Sequence, residues 1–324
     1  MTRLEVKRQM GRADIAAVAE LLQVAAEVDG HPPLDEHQWL DLVHGGRHDF
    51  AGLVAWEPGH GHPVGYAQVT REQSAGHSPT WALELVVDPH HRQADLRIAH
   101  TLLDTAMGLI AESGGGHVHM WVPKPTPAHD DLATSVGLRR GRELRQLRRP
   151  LPIEERSSLP VRAFVPEQDE ATWLEVNNRA FHWHPEQGGW DIETLRNRQE
   201  QPWFDPAGFL LHERDGKLAG FCWTKVHPEH DPPLGEIYVV AVDPGFRGLG
   251  LGRSLVVAGL DHLGRRGLRT AMLYVDADNA GALHLYEELG FTTDHVDQAY
   301  VGDVDPAPPG AQPIPDTPTA APSA

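Results

Sequence analysis

The sequence predicts an α/β protein (α+β in its order of elements) with two tandem domains, each a mixed, twisted sheet flanked by helices. The first observation is a repeat: Val87-Asp88-Pro89 and Val242-Asp243-Pro244 lie 155 residues apart, and Arg92 and Arg247 keep that offset. In both halves, strand-like runs come first and a strand–helix–strand crossover follows, which indicates parallel and antiparallel strand pairs. The length of 324 residues is enough for two hydrophobic cores.

The first half alternates strand-like apolar runs with segments in which apolar residues recur every three or four positions. Asp35 is a candidate N-cap for a short helix that ends at Leu42. The predicted strands are Leu4–Met10, Phe50–Glu57, Val64–Arg71, Trp81–Val87, His117–Val122 and Glu143–Arg149. The other predicted helices are a segment with an apolar face from Ile15 to Val28, then Leu96–Ala111 and His129–Val136.

The second half repeats this order, and Asn279 is placed to cap the last helix of its crossover. The predicted strands are Val161–Val165, Gly208–Arg214, Leu218–Lys225, Gly235–Val242, Thr270–Val275 and Thr292–Tyr300. The predicted helices are Glu170–Ala180, Asp191–Arg198, Leu249–Arg266 and Ala280–Leu289. We therefore predict domains at residues 1–150 and 161–303, a Pro-rich linker at 151–160 and a disordered Pro/Ala-rich tail at 304–324.

Composition narrows the class of protein. The formal net charge of −18 disfavours nucleic acid and membrane surfaces as partners, because both bind basic patches. No apolar run approaches the roughly 20 residues of a membrane span, and the N-terminus has no apolar signal core. The single Cys222 excludes internal disulfides and fits a reducing cytoplasm. The 21 histidines lack the helical spacing of metal ligands, so we expect no metal. We also expect the protein to be a cytoplasmic monomer.

The stretch from Val240 to Arg253 joins an apolar run, an Asp-Pro turn, a glycine-rich loop and the start of a helix. Such a loop can cradle an anion, because backbone N–H groups point outward and the helix dipole favours negative charge. Its glycines let a phosphate approach the backbone, and Arg247 and Arg253 add positive charge. The spacing excludes the dinucleotide fingerprint and the P-loop. It resembles the R/Q-x-x-G-x-G/A signature of GCN5-related N-acetyltransferases (GNATs), which implies a coenzyme A pyrophosphate site.

Only the second half keeps this loop. The first half has Arg92-Gln-Ala-Asp-Leu-Arg-Ile98 in its place, without a glycine and with an aspartate that would oppose a pyrophosphate. Glu236 and Tyr286 also have no counterpart of their residue type in the first half. We therefore expect catalysis in the second half alone, and whether the first half holds coenzyme A stays open.

Acetylation of an amine by a thioester needs a neutral amine, a positioned carbonyl, an oxyanion donor and support for the leaving thiolate. In GNATs the strand that here ends at Val242 bulges and diverges from its neighbour, so the resemblance implies that its amides pair with the pantetheine arm. Glu236 is the candidate general base, with a solvated edge-strand glutamate as the alternative. The resemblance makes Tyr286 the acid that assists departing coenzyme A, with an aromatic core residue as the alternative. Cys222 is expected in a buried strand, since direct transfer needs no covalent enzyme intermediate.

Longer strings are similar to the mycothiol synthases, tandem acetyltransferases of actinobacteria, over roughly residues 1–303. These strings are Asn177–Phe181, His184–Trp190, Gly235–Val240 and Leu273–Asn279. The resemblance implies transfer of acetyl from acetyl-CoA, a co-substrate, to the cysteinyl amine of cysteinyl-glucosaminyl-inositol, the last step of mycothiol biosynthesis. Two alternatives stay open: a tandem acetyltransferase for another amine, such as an aminoglycoside or a protein N-terminus, and a non-catalytic acyl-CoA sensor.

The resemblance also implies the site residues, besides Glu236 and Tyr286 as the catalytic pair. The coenzyme contacts would be Val240, Ala241, Val242, Arg247, Gly248, Leu249, Gly250, Leu251, Gly252, Arg253, Asn279, Ala280, Gly281, Ala282, Leu283 and His284, with Leu85, Val86 and Val87 in the first half. The acceptor contacts would be Glu36, Glu186, Lys225, Glu236 and Tyr274.

Overall fold

The computed structural model describes residues 2–34, 36–44, 49–72, 79–92, 96–184, 187–228 and 230–317, apart from the side chains of residues 36, 37 and 44. The chain divides into two compact units: unit 1 is Met1–Glu143 with Asp297–Ala324, and unit 2 is Leu144–Val296. Each unit contains parallel and antiparallel strand pairs, which confirms the mixed sheets that the sequence predicts.

Among the described residues, the sheet of unit 1 includes five strands from the first half of the chain and part of the last strand. They are β1 (Arg3–Lys7), β2 (Ala51–Trp56), β3 (Gly65–Glu72), β4 (Thr80–Val87), β5 (Gly116–Pro123) and the second part of β12 (Thr292–Val304). Neighbours follow the order β1-β2-β3-β4-β5-β12. All pairs are antiparallel except β4 and β5, which run parallel on either side of the predicted crossover helix.

Helices cover both faces of this sheet, and central strands such as β2 present apolar side chains to both of them. The helices of unit 1 are α1 (Arg12–Asp29), α2 (Glu36–His44), α3 (Arg97–Glu112) and α4 (Pro127–Ser135). Strand β2 illustrates the alternation: Leu53 packs in the core of α3 and α4, and Val54 packs in the core of α1 and α2.

The sheet of unit 2 is built in the same way. Its strands are the second part of β6 (Arg139–Pro150), then β7 (Arg162–Ala163), β8 (Phe209–Arg214), β9 (Lys217–His227), β10 (Leu234–Val242) and β11 (Thr270–Asp276). Neighbours follow the order β6-β11-β10-β9-β8-β7, and only β10 and β11 run parallel.

The helices of unit 2 are α5 (Glu170–Ala180), α6 (Ile192–Gln199), α7 (Leu251–Arg265) and α8 (Ala280–Glu288). One core lies between the sheet and α7 with α8, and the other lies between the sheet and α5 with α6. The second core is centred on Trp173, which has no exposed surface and makes ring contacts with Phe209, Phe221 and Trp223. No helix in the ranges described above has the length and apolar character to cross a membrane.

Two strands cross the division between the units. In β6, residues Leu144–Pro150 pair with β11 of unit 2, while the residues before them belong to unit 1. In β12, residues Asp297–Val304 pair with β5 of unit 1, while the residues before them belong to unit 2. The units therefore begin and end at other residues than the predicted domains, because a local sequence pattern does not reveal which strand a residue pairs with.

The tail differs from the disordered segment that the sequence predicts. Up to residue 317 it lies along unit 1: the Thr317 amide donates to the Val6 carbonyl (2.7 Å), and the Ala307 amide donates to the Ala111 carbonyl (2.8 Å). Ile314 packs against the core beside α3. The composition of the tail predicts too little apolar surface to pack, but Val304 and Ile314 do pack against the core, and backbone hydrogen bonds add to these contacts.

The close packing of α7 on the sheet gives a prediction about stability. A Cβ atom at Gly259 would lie 2.5 Å from Cys222 Sγ and 2.7 Å from Ile237 Cδ1. We expect Gly259→Ala to lower the free energy of unfolding by about 1–3 kcal/mol, because the added methyl group overpacks the core. Urea unfolding followed by circular dichroism measures the change.

Gly264→Ala is the matched control on the same helix. Its Cβ would meet Pro152 Cβ at an ordinary 3.4 Å, so the helix-favouring methyl group should be neutral or stabilising by up to about 1 kcal/mol. Equal stability of the Gly259 variant and the unchanged protein would contradict the packing described here.

Candidate active site

The strands β10 and β11 pair over only two positions before they separate. The paired residues are Gly235 with Ala271 and Glu236 with Met272. Beyond Glu236, β10 continues to pair with β9 on its other side up to Val242. The structure thus confirms the divergence that the GNAT resemblance implies, and it leaves one edge of β10 without β11 as a strand partner.

A β-bulge accompanies this divergence. The register between β10 and β9 shifts between Ile237 and Val239, so that Tyr238 is the inserted residue. As a result, the side chains of Tyr238 and Val239 both pack on the face of α5 and α6. A bulge turns a strand and increases its twist, which is how β10 moves away from a neighbour with which it starts in register.

Glu236 lies at the last paired position before the strands separate. Its side chain is buried, with 7% of its surface exposed. The imidazole of His227 donates a hydrogen bond to it, with Nε2 2.7 Å from Glu236 Oε2. This contradicts the alternative of a solvated edge-strand glutamate, since the carboxylate is held in place by a specific partner.

Lys225 is directly opposite Glu236 on β9 and belongs to a cluster of aromatic and basic side chains. Its ammonium lies 4.4 Å from the ring centroid of Trp203 and 5.5 Å from that of Tyr238, distances at which a cation is attracted to the ring. Arg198 donates to the Tyr238 hydroxyl (3.1 Å) and stacks over Trp190 at 3.9 Å. The cluster therefore lines the α5 and α6 face of unit 2 beside Glu236.

Tyr274 shares that face through the register of β11. It stands two residues beyond Met272, the partner of Glu236, and side chains two residues apart in a strand point to the same face. It is exposed over 42% of its surface, and its hydroxyl accepts a hydrogen bond from Gln146 Nε2 (2.7 Å). The fold therefore places Lys225, Glu236 and Tyr274, three of the five predicted acceptor contacts, on one face of unit 2.

Tyr286 lies on the other face, in the core formed with α7 and α8. Only 8% of its surface is exposed, and its ring packs against Phe291. Burial raises the pKa of Tyr286, and the nearby Cys222 raises it further. Cys222 is itself fully buried on β9, opposite Val240, and burial raises the pKa of its thiol to about 12. This confirms the expectation that Cys222 is a strand residue in the core.

The loop after β10 is anchored by Asp243. The Gly245 amide donates to its Oδ1 (2.8 Å), which closes a 3-10 turn at Pro244–Phe246, and Arg179 donates to its Oδ2 (2.7 Å). Burial alone would raise the pKa of Asp243, but these two hydrogen bonds outweigh it and lower the pKa. The carboxylate stays ionised and fixes the start of the glycine-rich loop.

The glycines of this loop are required for its backbone conformation. Gly248 and Gly250 have φ angles of +79° and +71°, which side-chain-bearing residues rarely adopt. A Cβ atom at either position would meet no atom within 4 Å, so open space lies in front of the loop. Gly250 is the N-cap of α7 and no side chain caps that helix, so its first amides face outward. This arrangement fits an anion such as a pyrophosphate.

The predicted coenzyme contacts differ in whether their side chains already bind other residues of the protein. Arg247 is exposed and makes no ion pair or side-chain hydrogen bond with the described residues, whereas both oxygens of Glu155 lie 2.9 Å from Arg253. Asn279 accepts a hydrogen bond from the Ala282 amide (3.1 Å), which confirms its predicted role as the N-cap of α8. The residues that follow, up to His284, form the first turns of α8 and are mostly exposed.

Unit 1 keeps the diverging strands but has no corresponding bulge in the described pairs. Strand β4 pairs with β3 in an unbroken register from Thr80 to Val87, a range that contains the predicted contacts at residues 85–87. Arg92 forms a bidentate ion pair with Asp29 (2.6 and 2.8 Å), so its guanidinium is already paired. Residues 93–95 lie outside the described residues.

Two predicted acceptor contacts cannot be placed. Glu186 lies outside the described residues, and Glu36 is the first residue of α2 but its side chain is not described. Asp35, the predicted cap of α2, also lies outside the described residues.

Sequence reasoning missed several residues that surround Glu236. They are His227, Arg198, Trp203 and Tyr238. His227 had a signal: it stands two residues after Lys225 in a strand, and period-two alternation puts both side chains on one face. Trp203 had none, because it lies between elements, in a segment without periodicity.

Comparison with known proteins assigns the class. The model of the Acetyltransferase (GNAT) family matches residues 172–291, which include β10, the glycine-rich loop and α8. A solved tandem GNAT protein from the clavulanic acid biosynthesis pathway superposes with a TM-score of 0.67 over 95% of this chain and 100% of its own, at 17% identity, and so shares the fold. Fold and site together define a tandem GNAT.

Two curated relatives narrow the class to a family. The mycothiol acetyltransferase of Acidimicrobium ferrooxidans is 43% identical over 290 residues, which are 87% of this chain and 92% of the relative. The mycothiol acetyltransferase of Streptomyces coelicolor is 46% identical over 290 residues, 88% of this chain and 90% of the relative. The chain belongs to the mycothiol acetyltransferase family.

The open loop predicts that substitutions of Gly250 weaken the binding of acetyl-CoA. Gly250→Asp should weaken acetyl-CoA binding at least about tenfold, because a side chain at positive φ strains the loop and its charge repels phosphate. Isothermal titration calorimetry with acetyl-CoA measures the affinity. The Gly250→Ala variant introduces strain without charge, so its affinity for acetyl-CoA should fall by a smaller factor.

Gly267→Asp is the matched control, since Gly267 has φ +82° and open surroundings at the opposite end of the same helix. It should lower stability and leave the affinity for acetyl-CoA unchanged. Unaltered acetyl-CoA affinity in the Gly250→Asp variant would move the cofactor site away from this loop.

Proposed function

We propose that the protein transfers an acetyl group from acetyl-CoA to the cysteinyl amine of cysteinyl-glucosaminyl-inositol, which completes mycothiol. The observation that carries the chemistry is the position of Glu236: a buried carboxylate at the last residue pair before β10 and β11 separate. The relatives' printed name, mycothiol acetyltransferase, supports the acceptor. Unit 2 performs the reaction, and unit 1 does not catalyse.

Glu236 acts as the base that takes a proton from the acceptor's ammonium group, which leaves a neutral amine able to attack. An α-amino group with a pKa near 7.7–8.0 is about one-tenth neutral at pH 7, so freeing the rest costs only about 1 kcal/mol. The hydrogen bond from His227 Nε2 to Glu236 Oε2 orients the carboxylate. His227 is thus a positioning residue for Glu236.

The thioester lies along the free edge of β10. Amides near Val240 that have lost β11 as a partner pair with the pantetheine arm, as an added strand would, and one of them stabilises the oxyanion. The pyrophosphate rests on the loop from Arg247 to Arg253, whose positive-φ glycines leave it accessible. The N-terminal turns of α8 complete the coenzyme site.

Tyr286 assists the departing thiolate by hydrogen bonding. Its helix lies in the core that also contains Val240, so it is on the side of the sheet where the thioester sulfur leaves. A phenol with an ordinary pKa near 10 is about 2 kcal/mol too weak an acid to protonate a thiolate of pKa near 8.5 fully. Burial makes it weaker still, which favours donation of a hydrogen bond over complete proton transfer.

Attack is direct, without an acetyl-enzyme intermediate. Cys222 is the only thiol in the sequence, and it is fully buried with a pKa raised to about 12, so it cannot serve as the nucleophile. The neutral amine nitrogen bonds to the acetyl carbon and the bond to the coenzyme A sulfur breaks. Of the two protons that the ammonium group loses, the first goes to Glu236 and the second ends on the departing thiolate.

The acceptor's sugar and inositol hydroxyls meet the polar face of unit 2. Lys225 and Tyr274 offer a cation and a phenol beside Glu236, and the neighbouring aromatic rings suit sugar faces. Glu36 and Glu186 are acceptor contacts on the resemblance alone. We further propose that the enzyme is a cytoplasmic monomer that needs neither nucleic acid nor a membrane, and that it uses no metal in this reaction.

The first experiment is thiol release from acetyl-CoA by the purified protein with cysteinyl-glucosaminyl-inositol, beside a panel of aminoglycosides and peptide N-termini. Turnover of the sugar thiol alone would support the proposal. Turnover of another amine only would replace the acceptor and keep the reaction. Acetyl-CoA binding without turnover of any amine would make the protein an acyl-CoA sensor.

Replacing the proposed base Glu236 should lower the acetylation rate by a factor that depends on pH. The Glu236→Gln variant keeps the size of the side chain but cannot take a proton, so it depends on amine that is already neutral. Its acetylation rate should fall at least about fivefold more at pH 6.5 than at pH 8.5, because far less neutral amine is present at the lower pH. Steady-state kcat/KM across this range measures the effect.

Glu193→Gln, which changes an exposed carboxylate of α6, should leave the profile unchanged. His227→Ala should lower kcat/KM by a similar factor at both pH values, since the base remains and only its orientation by His227 is lost. A loss in the Glu236→Gln variant that is equally large at both pH values would assign Glu236 a structural role instead.

The raised pKa of Tyr286 predicts the behaviour of the enzyme at alkaline pH. Because the phenol stays protonated above its ordinary pKa of 10, the kcat of the unchanged enzyme should show no descending limb up to about pH 10. Tyr286→Phe should lower kcat about 100-fold by a constant factor over this range. A descending limb near pH 10 that vanishes in the Phe variant would contradict the buried, protonated phenol.

A further inference from the structure

Unit 1 contains a cluster of potential metal ligands far along the chain from the reaction centre. Glu57, His60 and His91 each direct one ligand atom toward the others, and these atoms all lie within 4.8 Å of one another. His91 Nε2 is 3.5 Å from Glu57 Oε2, and the rings of the two histidines are 4.7 Å apart between centroids. Two ligands of a tetrahedral ion with bonds of about 2.0–2.1 Å are about 3.4 Å apart, so the His91–Glu57 spacing already fits.

The backbone holds these side chains together from two separate turns. Glu57 and His60 are in the connection between β2 and β3, where the His60 amide donates to the Glu57 carbonyl (3.3 Å). His91 ends the 3-10 turn that follows β4. The two turns are joined because the Asp88 amide donates to the carbonyl of Val64 (3.0 Å).

A buried carboxylate stands behind the ligand His91. The side chain of Asp88 is 3% exposed, and its Oδ1 lies 3.6 Å from His91 Nδ1. That nitrogen is buried and has no hydrogen-bond partner among the described residues. A metal-binding histidine commonly donates its other N–H to a carboxylate, which fixes the tautomer and the ring orientation. Asp88 Oδ1 also accepts a hydrogen bond from the His90 amide (2.8 Å), and it would have to come closer to His91 Nδ1 to accept this one.

The carboxylate ligand is oriented in the same way. The Thr2 hydroxyl donates to Glu57 Oε1 (2.8 Å), which leaves Oε2 facing His91. Of these two candidate ligands, Glu57 is held by a hydrogen bond, and His91 has the buried Asp88 carboxylate 3.6 Å behind it.

We propose that Glu57, His60 and His91 bind one divalent transition metal ion of the Zn²⁺ type, with water as the fourth ligand. Two imidazoles and a carboxylate are a ligand set that suits zinc and its neighbours better than Mg²⁺ or Ca²⁺. The ion ties the connection between β2 and β3 to the turn after β4 and so stabilises unit 1. This departs from the expectation of no metal, which rested on helical spacing, whereas these ligands come from two turns.

The test is titration of the chelator-treated full chain with Zn²⁺ in competition with a chromophoric zinc indicator. We expect one tightly held ion per chain. The variants His60→Ala, His91→Ala and Glu57→Gln should each weaken Zn²⁺ binding at least tenfold. Zn²⁺ should also raise the melting temperature of the unchanged protein and not that of the double variant His60→Ala/His91→Ala, because only a folded site binds it.

His117→Ala is the matched control, since His117 pairs with Asp303 (Nδ1–Oδ1 2.9 Å) as an isolated histidine–carboxylate pair in the same unit. It should leave zinc affinity and stoichiometry unchanged. Absence of a bound ion, or equal zinc affinity in the double variant and the unchanged protein, would overturn the proposal. Because the readout is zinc binding, a failed acetylation assay would leave this result unaffected.

Discussion

A β-strand in a protein interior needs hydrogen-bond partners on both edges, and β10 loses one of them after Glu236. The amides beyond that point require another extended chain or solvent. The pantetheine arm of acetyl-CoA, with its two amide groups, is such a chain. The bulge at Tyr238 accompanies the divergence, the core against which Val240 packs keeps the strand in place, and Val242 is followed by the loop proposed to bind the pyrophosphate. The proposed cofactor site thus follows from one strand edge that β11 leaves.

The parts of the site that lie on one continuous segment could be predicted from the sequence. The strand, Asp-Pro turn, glycine-rich loop and helix start are adjacent in the chain, so their types and order determine their relative placement. The hydrogen bond between His227 and Glu236 was not predicted, because it depends on strand register. The sequence left two roles open for Tyr286, and the structure shows that it is buried in the core against which Val240 also packs. The sequence also did not predict that β6 and β12 each belong partly to one unit and partly to the other, since local sequence does not determine which strands pair.

The two units show how a duplicated fold can diverge in chemistry. Asp243 and its counterpart Asp88 both close a 3-10 turn after the central strand. In unit 2 an arginine pairs with this aspartate and a glycine-rich loop follows. In unit 1 histidines surround the aspartate instead, and the following arginine is paired with Asp29. The same turn geometry therefore precedes the proposed phosphate cradle in one copy and a cluster of imidazoles in the other.

The pairing of Asp297–Val304 with β5 has a consequence for how the protein is made. During synthesis on the ribosome, unit 2 is a continuous segment and has all its strands once residue 296 has emerged. Unit 1, although it is translated first, lacks its last strand and the packed tail until after that. Domains generally fold as they emerge, the N-terminal one first. In this chain unit 2 has all its strands before unit 1 does. The edge of β5 therefore has no β12 partner until residues 297–304 have been synthesised.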